Sequence, residues 1–191
     1  MNRTYSVQFR RKREGKTDYR KRLRILLSQK PRLVVRKSLK NINAQIVSYD
    51  IKGDKVIVAA NSRELEKLGW NVHKANLPAA YLTGLLIGIK AKKHKIKELV
   101  LDIGLHTSGK GVKAYACLKG VIDAGLEIPH SDQILPSMER IRGEHIAKYA
   151  SMLKEEERRY KNQFSKYISK GISPENLPSL FDDVKNKILE L

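Results

Sequence analysis

The residues of this sequence that most resemble a chemical motif lie in a glycine-containing loop. Residues 104–110 read G-x-x-x-x-G-K and follow residues 100–103, an apolar run with the β-branched content of a buried strand. A loop of this pattern between a strand and a helix cradles phosphates in P-loop nucleotide hydrolases. Those enzymes need Ser or Thr after the lysine to hold magnesium, whereas this chain has Gly111. Nucleotide hydrolysis is therefore disfavoured, and a P-loop-like nucleotide-binding enzyme is kept only as the alternative function.

The other residues with catalytic or metal-binding chemistry are isolated. His106 and Thr107 border the loop, where a catalytic pair is one interpretation, but hydrogen bonds to RNA or to the loop backbone are favoured. The five histidines are scattered without a Cys pair or H-E-x-x-H spacing, so no zinc site is expected. Cys117, the sole cysteine, lies among apolar residues and is expected to be a buried structural thiol. These patterns predict a protein that is not an enzyme and that holds no metal or cofactor.

The charge of the chain points to a polyanionic partner. Lys and Arg number 39 and Asp and Glu 20 among 191 residues, which gives a net charge of +19. Nucleic acid is favoured over an anionic membrane surface, and no apolar run reaches the roughly 18 residues that a membrane span requires. Hydrophobic residues make up 41% of the chain, which is enough for a folded core. We therefore expect a folded nucleic-acid-binding protein and no membrane partner.

A basic arm over residues 1–24 carries the strongest charge. It holds ten basic and two acidic residues, a net charge of +8, and self-repulsion predicts an extended conformation when the arm is alone. Tyr5, Phe9 and Tyr19 are interleaved with the basic residues and can stack on unpaired bases. A solvated tail and a nuclear-localisation-like patch are the alternatives. Charge and aromatic residues together favour RNA.

The core that follows predicts an α/β fold built on a mixed β-sheet. Short β-branched runs predict three successive antiparallel strands, and the run before the glycine loop predicts a fourth strand with cover on both faces. Helices are expected between the third and fourth strands and after the loop, in the order β-β-β-α-β-α. The strands are predicted over residues 33–35, 44–47, 56–58 and 100–103, and the helices over residues 61–68, 77–89 and 112–124.

The longest core helix contains a stripe of small residues. Ala80, Gly84 and Gly88 recur every four residues within residues 77–89, so they share one side of the helix. A smooth side of this kind lets a helix lie close to its neighbour. We expect the stripe to face the sheet.

The sequence leaves the function of two further regions undecided. The connector over residues 36–43 is rich in basic and amide residues, with Arg36, Lys37, Asn41 and Asn43, and suits RNA contact and ordinary turn chemistry equally. A long helix over residues 144–170 and a last helix over residues 178–189 are predicted near the C-terminus. Residues 151–191 hold eight basic and seven acidic residues, so protein contact or self-packing is favoured there. The predicted organisation is a basic arm (1–24), an α/β core (25–135) and a helical C-terminal extension (136–191).

Several ordered motifs resemble one known family. They are Asp102-Ile103-Gly104-Leu105, Thr107 with Gly109, Ala116-Cys117-Leu118-Lys119-Gly120, Asp123-Ala124-Gly125-Leu126, and Ile128-Pro129-His130-Ser131. Together they resemble the archaeal and eukaryotic branch of the ribosomal protein family that binds 5S ribosomal RNA, large-subunit protein eighteen in the bacterial count. The resemblance runs from the basic arm to Arg140-Ile141-Arg142-Gly143-Glu144-His145-Ile146.

The resemblance implies a structural protein of the cytoplasmic ribosome rather than an isolated homo-oligomer. Such a protein attaches 5S ribosomal RNA to the large subunit at the central protuberance, beside 23S ribosomal RNA and a neighbouring 5S-binding ribosomal protein. The arm residues 10–13, 16–20 and 22 match the arm that is the main 5S RNA contact of the family. The candidate RNA-binding residues are Arg3, Tyr5, Phe9, Arg10, Arg11, Lys12, Arg13, Lys16, Tyr19, Arg20, Arg22, Arg24, Arg36, Lys37, Asn41, Asn43, His106, Thr107, Lys110 and Lys113.

Overall fold

The structure, a computed structural model, describes residues 6–191, so the candidate residues Arg3 and Tyr5 lie outside the described residues. Its sheet has four strands, β1 (Arg32–Lys37), β2 (Ile42–Ser48), β3 (Lys55–Asn61) and β4 (Val100–Asp102), in the spatial order β3-β2-β1-β4. The first three strands are antiparallel neighbours, and β4 runs parallel to β1. The predicted α/β class, the mixed sheet and the three successive antiparallel strands are confirmed.

Helices make up most of the rest of the described chain. None of the helices in residues 6–191 combines the length and the apolar character that a membrane crossing requires. The α-helices are α1 (Arg10–Arg13), α2 (Tyr19–Leu26), α3 (Leu77–Lys93), α4 (Lys113–Asp123), α5 (Met138–Arg142), α6 (Glu144–Leu153), α7 (Glu157–Gln163), α8 (Ser165–Ile168) and α9 (Leu177–Leu189).

The first predicted core helix differs from the prediction. Residues 61–68 do not form an α-helix, because Asn61 still belongs to β3 and a 3₁₀ helix covers only Glu64–Leu68. This segment ends at Gly69, whose φ of 102° is in the left-handed region that favours glycine.

The two faces of the sheet have different cover. On β1, Leu33 and Val35 are buried in the main core with α3 and α4, whereas Arg32, Val34 and Arg36 alternate onto the opposite face. That opposite face looks across a cleft at α2 and the residues before it. The cover of β4 differs between its faces: α3 and α4 pack on each other in the main core, whereas the opposite face looks across the cleft at α2.

Helices α3 and α4 approach each other more closely than side chains would allow. A Cβ atom on Gly84 would overlap the backbone carbonyl of Cys117 and lie 2.8 Å from its carbon atom. On the facing helix, a Cβ atom on Gly120 would lie 2.7 Å from the backbone nitrogen of Leu85. The predicted stripe of small residues is present, but it faces α4 and not the sheet. Close packing of two backbones needs glycine, whereas a sheet surface tolerates larger side chains.

The predicted helix over residues 144–170 is divided into α6, α7 and α8. The division lets Phe164 fold back onto Ala150 and Leu153, with Tyr160 and Tyr167 at the edge of this small cluster. Phe164 lies 5.3 Å from Tyr160 and 5.8 Å from Tyr167, measured between ring centroids. A straight helix would have left these apolar side chains without a common partner, so burial favours the broken helix.

The last helix, α9, packs on α3. Its buried residues Leu177, Phe181, Val184 and Ile188 belong to the main core, and the ring centroid of Phe181 lies 5.5 Å from that of Tyr81. Self-packing, one of the two expectations for this region, therefore occupies the apolar side of α9. The predicted division of the chain at residues 24 and 135 stays a prediction.

Replacing Gly84 by alanine is expected to lower the free energy of unfolding by about 3 kcal/mol, because the added methyl group must displace backbone atoms. The measurement is denaturant unfolding followed by the fluorescence of Trp70, the sole tryptophan, which is fully buried. Gly109→Ala is the control, since a Cβ atom there meets only Cγ1 of Val112 at 3.4 Å. Its effect should stay within about 0.5 kcal/mol. A Gly84→Ala variant of unchanged stability would contradict the close helix contact.

Cys117 is expected to be unreactive in the folded protein. The side chain is fully buried, and burial raises the pKa of its thiol to about 12, so the reactive thiolate is scarce near neutral pH. A chromogenic disulfide reagent should therefore react slowly with the folded chain and rapidly, with one thiol per chain, in concentrated guanidinium chloride. Equally fast reaction in both conditions would show that the thiol is accessible.

Candidate nucleic-acid interface

The described part of the basic arm is helical. Asp18 caps α2, because its side chain accepts hydrogen bonds from the backbone N–H groups of Arg20 (3.0 Å) and Lys21 (3.1 Å). The bond from Lys21 is the main reason that the pKa of Asp18 is below its ordinary value. Glu14 supplies a second local counter-charge and pairs with Lys16 at 2.7 Å. In the folded chain the described part of the arm is therefore not extended, and the extended conformation of the arm when alone stays a prediction.

Side-chain contacts join the two arm helices. The rings of Phe9 and Tyr19 pack with their centroids 5.1 Å apart and their planes inclined by 50°. Arg11 Nε donates a hydrogen bond to Thr17 Oγ1 at 2.9 Å. Phe9 nevertheless remains 72% exposed, so its ring offers a surface on which an unpaired base can stack.

Most basic side chains of the arm are free. Within residues 6–191 five of them are exposed and make neither an ion pair nor a side-chain hydrogen bond. Arg10 and Lys16 pair with Glu14, at 3.5 Å and 2.7 Å. The five, called the free arm cations below, are Lys12, Arg13, Arg20, Lys21 and Arg24.

A cleft of about 820 Å³ lies between the arm and the uncovered face of the sheet. The arm side of the cleft is rich in basic side chains, while the sheet side mixes apolar and polar ones. The lining residues include Arg11, Lys16, Tyr19, Lys21 and Arg24 from the arm and Val34, Gln45, Val47, Val56 and Ile103 from the sheet and its edges.

Three arginines and two aspartates form a connected network beside this cleft. Arg22 donates two hydrogen bonds to Asp54, at 2.9 Å and 2.8 Å, and Arg32 donates one to Asp54 at 2.6 Å. Arg32 also donates to Asp102 at 2.9 Å, and Arg36 donates to the backbone carbonyl of Asp102 at 3.0 Å. This set of residues is called the arginine–aspartate network below. It connects the arm, the β2–β3 turn, β1 and the end of β4.

Within the network, the partner of Arg22 is a carboxylate and not the predicted RNA phosphate. We predicted a phosphate contact for Arg22, whereas its guanidinium is held by Asp54 and its side chain is only 29% exposed. The hydrogen bond from Arg22 is the main cause that lowers the pKa of Asp54, and the same bond raises the pKa of Arg22. The two groups therefore stabilise each other's charged forms.

Three members of the network were missed by the sequence analysis, namely Arg32, Asp54 and Asp102. A signal for Arg32 exists, because it alternates with Leu33 on β1 and must therefore lie on the face opposite the core. Asp54 lies just after a glycine turn, where an aspartate is ordinary, so no local pattern marks it.

A second basic patch forms where β1 ends beside the glycine loop. The pKa of His106 is lowered chiefly by burial and then by the charges of Lys37 and Arg36. The pKa of Lys113 is lowered chiefly by burial and then by the charge of Lys37. The structure thus brings four predicted RNA-binding residues from two segments together, and Arg36, Lys37, His106 and Lys113 are called the loop patch below.

The amide residues of the connector have different positions. Asn41 closes a turn with Ser38: the Ser38 amide donates to the Asn41 carbonyl at 2.8 Å, and the Asn41 amide donates to Ser38 Oγ at 2.9 Å. This is the turn chemistry that we weighed against RNA contact. Asn43 lies in β2, opposite Arg36 of β1. RNA contacts by Asn41 and Asn43 stay predictions.

The glycine loop does not have the geometry of a P-loop. Helix α4 starts at Lys113, three residues after Lys110, and the amide of Gly111 donates to the carbonyl of Ile134 at 2.9 Å instead of pointing at a ligand. Thr107 and Lys110 are exposed. Within residues 6–191 no three His, Cys, Asp or Glu side chains converge as metal ligands would. The loop therefore presents isolated polar groups at the surface, beside the loop patch.

Comparison with known proteins agrees with the resemblance seen in the motifs. The family described as ribosomal large subunit proteins 60S L5 and 50S L18 matches residues 3–100 and 89–131. The large ribosomal subunit protein uL18 of Methanococcus maripaludis is 56% identical over 191 residues, which are 100% of this chain and 99% of that protein. This chain therefore belongs to the L5 and L18 family of large-subunit ribosomal proteins.

Proposed function

We propose that this chain binds 5S ribosomal RNA through its basic arm and the loop patch, and attaches it to 23S ribosomal RNA at the central protuberance. Its family makes it a structural component of the large subunit of cytoplasmic ribosomes. The observation that carries the finer proposal is the position of the free arm cations, which are exposed beside an open, partly basic sheet face.

The electrostatic argument begins with the distribution of charge. The free arm cations make no ion pair in the described chain, so each can neutralise a phosphate and release a condensed counterion. Residues 151–191 have a net charge of only +1, so the opposite end of the chain does not compete for the RNA backbone. The arm therefore carries +8 of the net charge of +19, and its residues Lys21 and Arg24 line the cleft.

Recognition of shape is the second part of the proposal. Phosphate contacts set position and orientation but do not read bases, whereas exposed aromatic rings such as Phe9 can stack on unpaired bases. The cleft and the loop patch flank the same end of β1, so a folded RNA can contact both. A rigid sheet with charges on one face suits a folded RNA better than an arbitrary single strand.

The remaining partners are also proposals. We propose that a neighbouring 5S-binding ribosomal protein and 23S ribosomal RNA lie beside this chain, as the family resemblance implies. The C-terminal extension carries little net charge and exposes Tyr149 and Met152, at 48% and 75%, so protein contact suits it better than RNA contact.

Neutralising the arm is expected to weaken binding to 5S ribosomal RNA and to reduce its salt dependence. In the test variant Lys12, Arg13, Lys21 and Arg24 are replaced by glutamine, which leaves Arg22 and Asp54 intact. If all four side chains contact phosphates, the slope of log K against log salt should fall by about 3, since each contact contributes roughly 0.7 to 0.9. The measurement is a binding titration at several salt concentrations, against 5S ribosomal RNA and a length-matched unrelated RNA.

The matched control removes the same charge from the C-terminal extension. Lys148, Arg158, Lys166 and Lys170 are exposed and form no ion pair with any residue of 6–191, so their replacement by glutamine should leave the slope nearly unchanged. Equal loss in both variants would mean that only net charge matters. Equal affinity of the wild-type chain for both RNAs would indicate a general RNA-coating protein and contradict the proposal.

A further inference from the structure

The basic arm has one hydrogen-bonded connection to the folded domain. Among the described residues, the Arg22–Asp54 pair provides the only hydrogen bonds and the only ion pair between residues 6–27 and residues 31–191. The other polar contacts of these residues, such as Arg11 with Thr17 and Lys16 with Glu14, stay within the arm. No other polar contact between residues 6–27 and residues 31–191 fixes the position of the arm relative to the sheet.

Helix α2 has little else to hold it in place. It is eight residues long and none of its residues is buried. A helix of this length is marginal in water by itself, and its basic neighbours repel one another. Docking must therefore supply the stability that the helix lacks.

Asp54 is well suited to dock the arm because its own position is fixed from the other side. Arg32 donates to it at 2.6 Å, and the Arg32 side chain is only 3% exposed. Arg32 is held in turn by Asp102, whose side chain also accepts a hydrogen bond from the amide of Gly104 at 2.8 Å. The carboxylate that receives Arg22 is therefore attached to β1 and to the start of the glycine loop.

The geometry of the Arg22–Asp54 pair is that of a strong interaction. The two guanidinium nitrogens of Arg22 meet the two carboxylate oxygens of Asp54 in parallel, at 2.9 Å and 2.8 Å. Both side chains are less than a third exposed, so solvent and salt screen the pair less than they would a surface pair.

We propose that Asp54 is a positioning residue that clasps the arm onto the sheet in the RNA-free protein, and that Arg22 binds Asp54 and not a phosphate. The clasp holds Lys21 and Arg24, two of the free arm cations, at the edge of the cleft. This inference rests on the proposed RNA binding for its purpose, but the clasp itself is a property of the free protein.

The two possible parts for Asp54 predict opposite effects on RNA binding. As a mere negative charge near the cleft it repels phosphates, so its removal should tighten binding. As the clasp it preorganises the arm, so its removal should weaken binding, because only the docked fraction of molecules binds well. The sign of the change therefore distinguishes the two.

The first experiment measures amide hydrogen exchange in α2 of the full chain without RNA. In Asp54→Asn the amides of Arg22 and Leu27, which donate within α2, should exchange about tenfold faster than in wild type. Asp50→Asn is the matched control: Asp50 lies in the same turn and loses the same charge, but pairs with Lys55 and makes no hydrogen bond or ion pair with residues 6–27. Exchange in α2 should be unchanged in this control.

A second variant guards against a general loss of structure. Arg22→Gln opens the clasp from the arm and leaves the Arg32–Asp54 and Arg32–Asp102 pairs intact. It should raise exchange in α2 as Asp54→Asn does, and the double variant should add nothing further, since both changes break one interaction. Unchanged exchange in α2 of both single variants would overturn the clasp.

The second experiment measures affinity for 5S ribosomal RNA over a range of salt concentrations. Both single variants should bind up to tenfold more weakly with an unchanged salt slope, because the phosphate contacts of the bound state remain. Tighter binding by Asp54→Asn, together with a slope reduced by about 0.7 to 0.9 in Arg22→Gln, would make Arg22 a phosphate contact and overturn the inference. Loss of selectivity for 5S RNA in the wild type would defeat only the proposed function, since the exchange result is obtained without RNA.

Discussion

The buried guanidinium of Arg32 is the constraint on which the functional face of this protein depends. A charge removed from water must be paired with opposite charges that also satisfy its hydrogen bonds. Asp54 and Asp102 each accept one hydrogen bond from Arg32, and they come from two different parts of the chain, the β2–β3 turn and the end of β4. The requirement to pair Arg32 therefore brings these two regions together on the open face of the sheet. Each aspartate then has capacity for a further partner, which is Arg22 for Asp54 and Arg36 for Asp102.

The helices of the main core pack on the other face of the sheet, so the face that carries Arg32 stays open. Helices α3 and α4 come within backbone contact at Gly84 and Gly120, which places both on one side of β1 and β2. The C-terminal helix α9 adds Phe181 to the same side, against Tyr81 of α3. The tightly packed helices α3, α4 and α9 therefore all lie on the core side of the sheet. The opposite side is left to a mixture of apolar and charged residues and to a small helix that an ion pair holds in place.

The distribution of charge follows this division between the core side and the open side of the sheet. The C-terminal extension is nearly neutral and packs by apolar contacts, with Phe164 at the centre of its own cluster. The arm and the end of β1 hold cations that lack partners or that lower one another's proton affinity, as Lys37 does to His106 and Lys113. Such a concentration of like charge is unfavourable for the isolated chain and becomes favourable when a polyanion supplies the counter-charge.

The features that repeat over a few residues could be predicted from the amino-acid sequence alone. Alternation along β1, the apolar run of α3, the β-β-β-α-β-α order, the net charge and the burial of Cys117 could all be read from it, because each depends on local periodicity or composition. The motifs of the glycine loop added the family, since their order is specific. Local patterns also misled, as with the helix over residues 144–170, whose division follows from burial of Phe164 on Ala150.

Contacts between distant parts of the chain could not be predicted in this way and are seen only in the folded structure. Arg32 and Asp102 are 70 residues apart, and Arg22 and Asp54 are 32 apart, so no periodicity relates them. A stripe of small residues shows that something packs closely, but not whether Gly84 meets a strand or the backbone of Cys117. A run of basic residues shows where charge lies, but not that Arg22 is paired while Lys21 and Arg24 are free. These choices depend on chain segments brought together by a common core, which is a property of the whole fold.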